Sequence, residues 1–145
     1  MRSKVLSDAD ERTIALVFET GDEVMATLQE FAQAQGIAAA RLTAIGAFSR
    51  AVLGYLDWQR RDYERIPVHE QVEVVALVGD VALEGGRPRI HAHVVVGRRD
   101  GSTCGGHLLE GWVRPTLEVM LVQSPAHLAR TTDAASGLAL IDLGK

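Results

Sequence analysis

Three of the five histidines in this chain fall between positions 91 and 107. His91 and His93 alternate in "PRIHAHVVVG", a run that otherwise reads as a hydrophobic strand, and His107 follows Gly105-Gly106 beyond the turn "RRDGS". Imidazole is a metal ligand and a proton carrier near neutral pH, but three rings act together only if the hairpin brings them to one side. A two-residue loop, Asp100-Gly101, would set His93 opposite Leu108 and turn His107 to the other face. A three-residue loop, Arg99-Asp100-Gly101 with Gly101 left-handed, pairs Arg98 with Ser102 and His93 with His107. The apolar pattern selects the second, because a slip of one residue exchanges the faces. It leaves Ile90, Ala92, Val94, Val96, Cys104 and Leu108 on one core face. His91, His93, Val95, His107 and Leu109 then share the other.

Directly opposed side chains on such a ladder have Cβ atoms about 5 Å apart, close enough for imidazole nitrogens to converge on one ion at ~2.0–2.1 Å. His91, His93 and His107 are therefore candidate metal ligands. Three neutral nitrogens suit zinc first, and also nickel, iron(II) or copper, with an open position for water or a ligand. Gly105 and Gly106 read as leaving room for that ligand. For water activation the nearest carboxylate in sequence is Glu110, which strict alternation turns toward the core unless a bulge near Gly105-Gly106 re-aims it. Glu118 points away from Leu117, Val119 and Leu121 and reads as an exposed strand residue. No nucleophile elbow, phosphate-binding glycine loop or H-E-x-x-H helix is present, so catalytic residues are not assigned. A competing reading stays open. Val95 and Leu109 make the histidine face apolar, a sheet with one helix covers only one face, and the histidines could lie at a subunit seam.

The elements that must position this hairpin are mainly strands. "TIALVFET" (13–20) alternates as a strand. The stretch 21–36 changes period and predicts a helix of about four turns, with Thr20 and Glu23 as a capping box and Gly36 as its left-handed stop. Residues 40–57 read as strand with a bulge or bend at Gly46. Residues 59–70, polar and carrying Pro67, read as a loop or irregular crossing. Residues 71–83 are a strand with Gly79 as a second bulge, and 84–88 is a turn. The strand 116–123 is entered through Pro115. Beyond Ser124 "PAHLARTTD" has a weak helical pattern and "GLALID" reads as a short last strand. The expected fold class is α+β, a mostly antiparallel β-sheet with one main helix packed on it. It forms one domain over 1–145, with a core of about 13–122 and a C-terminal extension at 123–145.

The chain has 145 residues, 47% hydrophobic and 23% charged, an ordinary globular composition. No apolar run approaches the ~20 residues of a membrane-spanning helix. The start is polar and lacks a secretory signal, and the lone Cys104 cannot form an internal disulfide. A cytoplasmic protein without membrane association is expected, with Cys104 as a buried, inert thiol. Net charge is −4, which weighs against a phosphate-gripping domain. Arg98 and Arg99 at the hairpin tip are the best candidates for phosphate contact. Trp58, Trp112, Tyr55 and Tyr63 read as packing or interface residues, and His69 and His127 as surface histidines.

The segments "AIGAFSRAVLGYLD", "EQVEVVALVGDVAL", "PRIHAHVVVGRRDGSTCGGHLLEG" and "VRPTLEVMLV" resemble the PPC domain (plants and prokaryotes conserved), in its prokaryotic single-domain branch, from about Thr13 to Val122. The resemblance implies a sheet with a helix, assembly as a homotrimer, and a bound metal on His91, His93 and His107. In plants this domain accompanies AT-hook motifs in nuclear DNA-binding proteins. The present chain has no AT-hook core, so association with DNA or a transcription-related partner follows from fold analogy alone. The expected function is a homotrimeric binding or regulatory module with a three-histidine metal site. The alternative is a metal-dependent enzyme or small-ligand binder using the same three residues.

Overall fold

Alternation of buried and exposed residues shapes the sheet. In the computed structural model, which describes residues 1–8 and 10–144, strand β2 (Arg12–Glu19) buries Ile14, Leu16 and Phe18 while their neighbours face outward. The same period runs through β3 (Ala39–Asp57), β5 (Val72–Glu84), β6 (Arg87–Gly97) and β7 (Thr103–Gln123). Their inward residues form one core that includes Leu42, Phe48, Leu77, Val94, Leu108 and Leu117. β1 (Arg2–Asp8), β4 (Asp62–Val68), β8 (Ala129–Thr132) and β9 (Ala139–Asp142) complete the sheet among the described residues. The architecture is mostly β-sheet, and among the described residues the α component is a single short helix, α1 (Val24–Ala34).

β3 and β7 are long enough to change partners along their length. β7 pairs with β2, with β3 and, at its start, with β6, while β3 pairs with β7, β5 and β4, all antiparallel. Since β6 also pairs with β5, the strands β3, β5, β6 and β7 close into a ring of pairings around the core. Gly46 makes the bend expected of it: its φ is +151°, the β3–β5 register shifts there, and a Cβ would lie 2.3 Å from the Thr116 carbonyl oxygen. The bulge expected at Gly79 is instead at Val75, between the pairs made by Val74 and Ala76. Gly79 serves close backbone approach, since a Cβ there would lie 2.5 Å from the His91 carbonyl oxygen.

Helix α1 buries Val24, Leu28 and Ala32 and spans 11 residues, about three turns. Its N-cap is Glu23, whose carboxylate accepts from the Met25 and Ala26 amides at 3.3 and 2.7 Å. Thr20 does not cap it. Gly21 and Asp22 are tied to β7 by the bonds Gly21 N to Val113 O and Val113 N to Asp22 O, both 3.0 Å, which holds them outside the helix. Gly36, with φ +62°, ends α1 as expected, and the Ile37 amide reaches back to the Ala32 carbonyl at 2.9 Å.

Three further expectations are corrected. The polar stretch after Trp58 is not a loop throughout: β4 pairs with β3 from Asp57↔Asp62 to Ala51↔Val68. Pro67 fits because, among the described residues, β4 pairs with β3 alone, and an edge strand tolerates a missing donor. The weak helical pattern near Leu128 is strand: β8 runs parallel to β5 through Leu83↔Ala129 and Glu84↔Arg130, and β9 pairs back on β8. β1 adds a strand ahead of the expected core start, and β7 continues through Pro115 where the β3–β7 register is interrupted.

Candidate metal centre

The hairpin has the three-residue loop. Arg98 N donates to Ser102 O at 2.8 Å, Gly101 N to Arg98 O at 2.9 Å, and Gly101 has φ +82°. Asp100 Oδ1 accepts from Ser102 N at 2.9 Å and fixes the turn. The ladder pairs His93 with His107 and Val96 with Cys104. Ala92, Val94, Val96 and Leu108 go into the core with half-buried Ile90 and Cys104 packed against it.

On the other face the three imidazoles converge. The ligand nitrogens of His91, His93 and His107 all lie within 4.8 Å of one another. Ring centroids are 5.1 Å apart for His91–His93 and for His91–His107, and 5.4 Å for His93–His107. His91 Nε2 and His93 Nε2 stand 3.2 Å apart, close to the ~3.3 Å between two tetrahedral ligands each ~2.0–2.1 Å from an ion. Tyr63 stacks on His107 at 4.4 Å and holds its plane.

The electrostatics suit a cation. Burial, then His91 and His93, push the His107 pKa down to about 4, and burial followed by Arg130 lowers that of His91. Both rings are thus neutral near pH 7, with lone pairs available. His107 Nδ1 is buried and has no hydrogen-bond partner among the described residues, an arrangement that costs stability unless another group satisfies it. Three converging imidazoles, two of them held neutral, and this orphaned ring atom fit a divalent transition metal.

Tyr63, Asp80 and Arg130 also border the cluster, and the sequence reading did not single them out for it. Asp80 pairs across the ladder with His91, its Oδ2 lying 4.0 Å from His91 Nδ1, and its other oxygen is ion-paired with Arg130, whose side chain is only 8% exposed. The signal for Asp80 was a lone carboxylate inside the apolar run "VALVGDVAL". Tyr63 and Arg130 lay in segments read as loop and helix. These elements border an open-sided cavity of about 670 Å³ beside His91 and His107, walled by α1, β6 and the β8–β9 hairpin.

Other candidates are placed elsewhere. A bulge does re-aim Glu110, but it falls at Leu109, between the pairs Val52↔Glu110 and Leu53↔Leu108, and Glu110 is ion-paired with Arg65 of β4. Glu118 is exposed opposite Ile45, and neither carboxylate borders the cavity. Gly105 and Gly106 do not serve to clear space for a ligand. A Cβ at Gly106 would lie 2.7 Å from the Gly54 carbonyl oxygen and one at Gly105 2.9 Å from that of Val94, so the glycines admit neighbouring backbone. Arg98 is paired with Glu70 at 3.0 Å, while Arg99, His69 and His127 are exposed. The expected apolar outer face is present: Val78, opposite His93, is 55% exposed, and Ile45, Val95 and Met120 are exposed with it.

Comparisons with known proteins place this geometry in a family. The chain is 32% identical over 94% of its length to a bifunctional GlmU protein of Synechococcus sp. (strain JA-3-3Ab), and it spans about a fifth (21%) of that relative's length. Its fold matches a plant- and prokaryote-conserved protein of Pyrococcus horikoshii with a TM-score of 0.85, at 32% identity over 90% of this chain and 91% of that one. A metal-containing protein of Archaeoglobus fulgidus matches with a TM-score of 0.83, at 31% identity over 97% and 96%. A Ralstonia eutropha JMP134 protein, named as a candidate DNA-binding protein, matches with a TM-score of 0.84, at 29% identity over 90% of both chains. No helix among the described residues is long and apolar enough to cross a membrane. The family model for the Plants and Prokaryotes Conserved (PCC) domain, the PPC domain named above, matches residues 6–125, and the chain belongs to that family.

Proposed function

We propose that this chain is a homotrimeric binding module whose outer sheet face carries one zinc or similar divalent metal ion on His91, His93 and His107. The observation that carries the proposal is the convergence of three ligand nitrogens within 4.8 Å. The metal content in the name of the A. fulgidus relative supports it. When bound, the ion supplies a Lewis acid with a position open to an exogenous ligand. The chain's own residues do the rest: β6 and β7 hold the three rings, Tyr63 fixes the plane of His107, and Asp80 with Arg130 sets the charge beside His91. Exposed Ile45, Val78, Val95 and Met120 support self-association, and the trimer is the assembly that the family resemblance implies. Elemental analysis of purified protein and of His91→Ala tests the site. One ion per chain in the wild type and a loss in the variant is expected; the same metal content in both contradicts it.

The cavity beside His91 and His107 favours a second reading of the same site, a small-ligand binder or metal-dependent enzyme. DNA association rests on the naming of the R. eutropha relative and on exposed Arg99, against a net charge of −4. Titration with duplex DNA at several salt concentrations decides it, since phosphate binding weakens steeply as salt rises.

A further inference from the structure

The cavity has a composition that the histidines alone do not explain. Its volume, about 670 Å³, lies in the range of roughly 300–1,000 Å³ typical of small-molecule sites. Met25 of α1 and Ile90 of β6 contribute apolar wall, and Leu138, Leu140 and Ile141 of the C-terminal segment contribute more. The charged lining residues are two ion pairs, Asp80 with Arg130 and Glu84 with Arg89. Their formal charges cancel, so a divalent ion held by the histidines would make the cavity cationic.

Arg130 is the anomaly. Its side chain is nine-tenths buried, and its guanidinium gives one bond to Asp80 and a 3.5 Å contact to the Ala139 carbonyl. Its Nε has no acceptor among the described residues. An arginine carries five N–H donors in a fixed fork suited to a carboxylate, and burying one with a donor unused is costly unless something else completes it. The other unsatisfied buried nitrogen on this cavity is His107 Nδ1. Unmet polar groups at Arg130 and at the histidine cluster, with apolar wall around them, describe an amphipathic anion.

We infer that this cavity binds a short-chain organic acid, whose carboxylate is recognised by Arg130 and whose hydrocarbon body lies against Met25, Ile90, Leu138 and Leu140. The inference rests on the proposed metal only for a second attachment point, since Arg130 belongs to the protein itself. β8 and β9 thereby act as the specificity element of the site: they supply Arg130 and part of the apolar wall.

Calorimetric titration of the full chain, zinc-loaded and metal-free, with hexanoate and with 1-hexanol as a chain-matched neutral probe tests this. Hexanoate is expected to bind the zinc-loaded wild type about tenfold or more tightly than 1-hexanol, the margin of a charge-assisted hydrogen bond. Arg130→Met, compared with the wild type at equal zinc loading, should reduce that margin. Ala26→Trp, at an exposed helix position on the cavity, should block both probes and leaves Arg130 and the histidines intact. It decides the matter if Arg130→Met does not fold. Equal binding of the two probes by the wild type, unchanged hexanoate binding by Arg130→Met, or unchanged binding by Ala26→Trp overturns the inference. Zinc uptake without hexanoate binding overturns it and leaves the metal reading standing. Hexanoate binding by a protein that takes up no zinc does the reverse.

Discussion

Two hairpins border the cavity, and they are built to different tolerances. The β6–β7 hairpin, which carries the histidines, is paired on both sides: β6 with β5, and β7 with β3. Its inward residues Ala92, Val94, Val96 and Leu108 are fully buried, and its neighbours approach so closely that Gly79 and Gly106 admit no side chain. The β8–β9 hairpin is attached to the sheet through two parallel pairs with β5 and the Arg130–Asp80 ion pair. It leaves Leu140, Ile141 and Leu143 exposed. A metal ion tolerates ligand displacements of only a few tenths of an ångström, so its ligands sit on the stiff element. Recognition of a variable organic body needs no such precision and is assigned to the loosely held one.

The sharpest way to break this contrast is to strain each hairpin with a single methyl group or larger. Gly79→Val would drive a Cβ against the His91 carbonyl, 2.5 Å away with no flexible side chain to yield. Overpacking of this kind costs about 1–3 kcal/mol or more, and chemical denaturation should place the loss at or above that upper figure. Gly137→Ala in the β8–β9 turn meets only the Arg61 side chain at 3.5 Å, so its penalty comes from φ +74° alone. That amounts to about 1–2 kcal/mol, and zinc content should be unchanged. Equal losses for the two would remove the distinction between the hairpins.

Smaller effects sharpen the account at the site itself. His107→Ala removes a proposed ligand, so zinc affinity should fall by more than the roughly 10–100-fold typical of removing an outer partner. Asp80→Asn, which alters the carboxylate near His91, should stay within that 10–100-fold range. Competition with a metal chelator measures both, and an Asp80 effect larger than the His107 effect would reverse their assigned roles. The smallest effect is on pH dependence. His107 has its folded pKa lowered to about 4 from an ordinary value of 6.5, so between these values the unfolded chain binds a proton that the folded chain refuses. Stability of the metal-free protein is therefore full above pH 6.5 and declines as pH falls toward 4. Melting temperatures across that window should show the decline in the wild type and a shallower one in His107→Ala.

The hairpin register was legible because burial of alternate residues penalises a slip of one position, and Gly101 supplied the turn that the pattern demanded. That one inference placed all three histidines. Features set by contacts distant in sequence were not legible. Thr20 looked like a cap, but β7 holds the following residues, a pairing no local pattern announces. Pro67 suggested a loop because its harmlessness depends on β4 having a free edge. Pro125–Asp133 carried a weak helical period, and parallel pairing with β5 overrode it at Ala129 and Arg130. Gly79 and Gly106 were visible as glycines, but the backbone each one admits belongs to another strand. Asp80, Tyr63 and Arg130 reach the site on three separate strands, β5, β4 and β8, so their meeting could be seen only in three dimensions.

X-ray absorption at the zinc edge of the zinc-loaded protein tests the central claim most directly. Three imidazoles on one ion predict nitrogen scatterers at about 2.0–2.1 Å, with outer-shell ring scattering from three rings in the wild type and from two in His93→Ala. A first shell dominated by oxygen or sulfur, or a wild-type spectrum unchanged in His93→Ala, would contradict it.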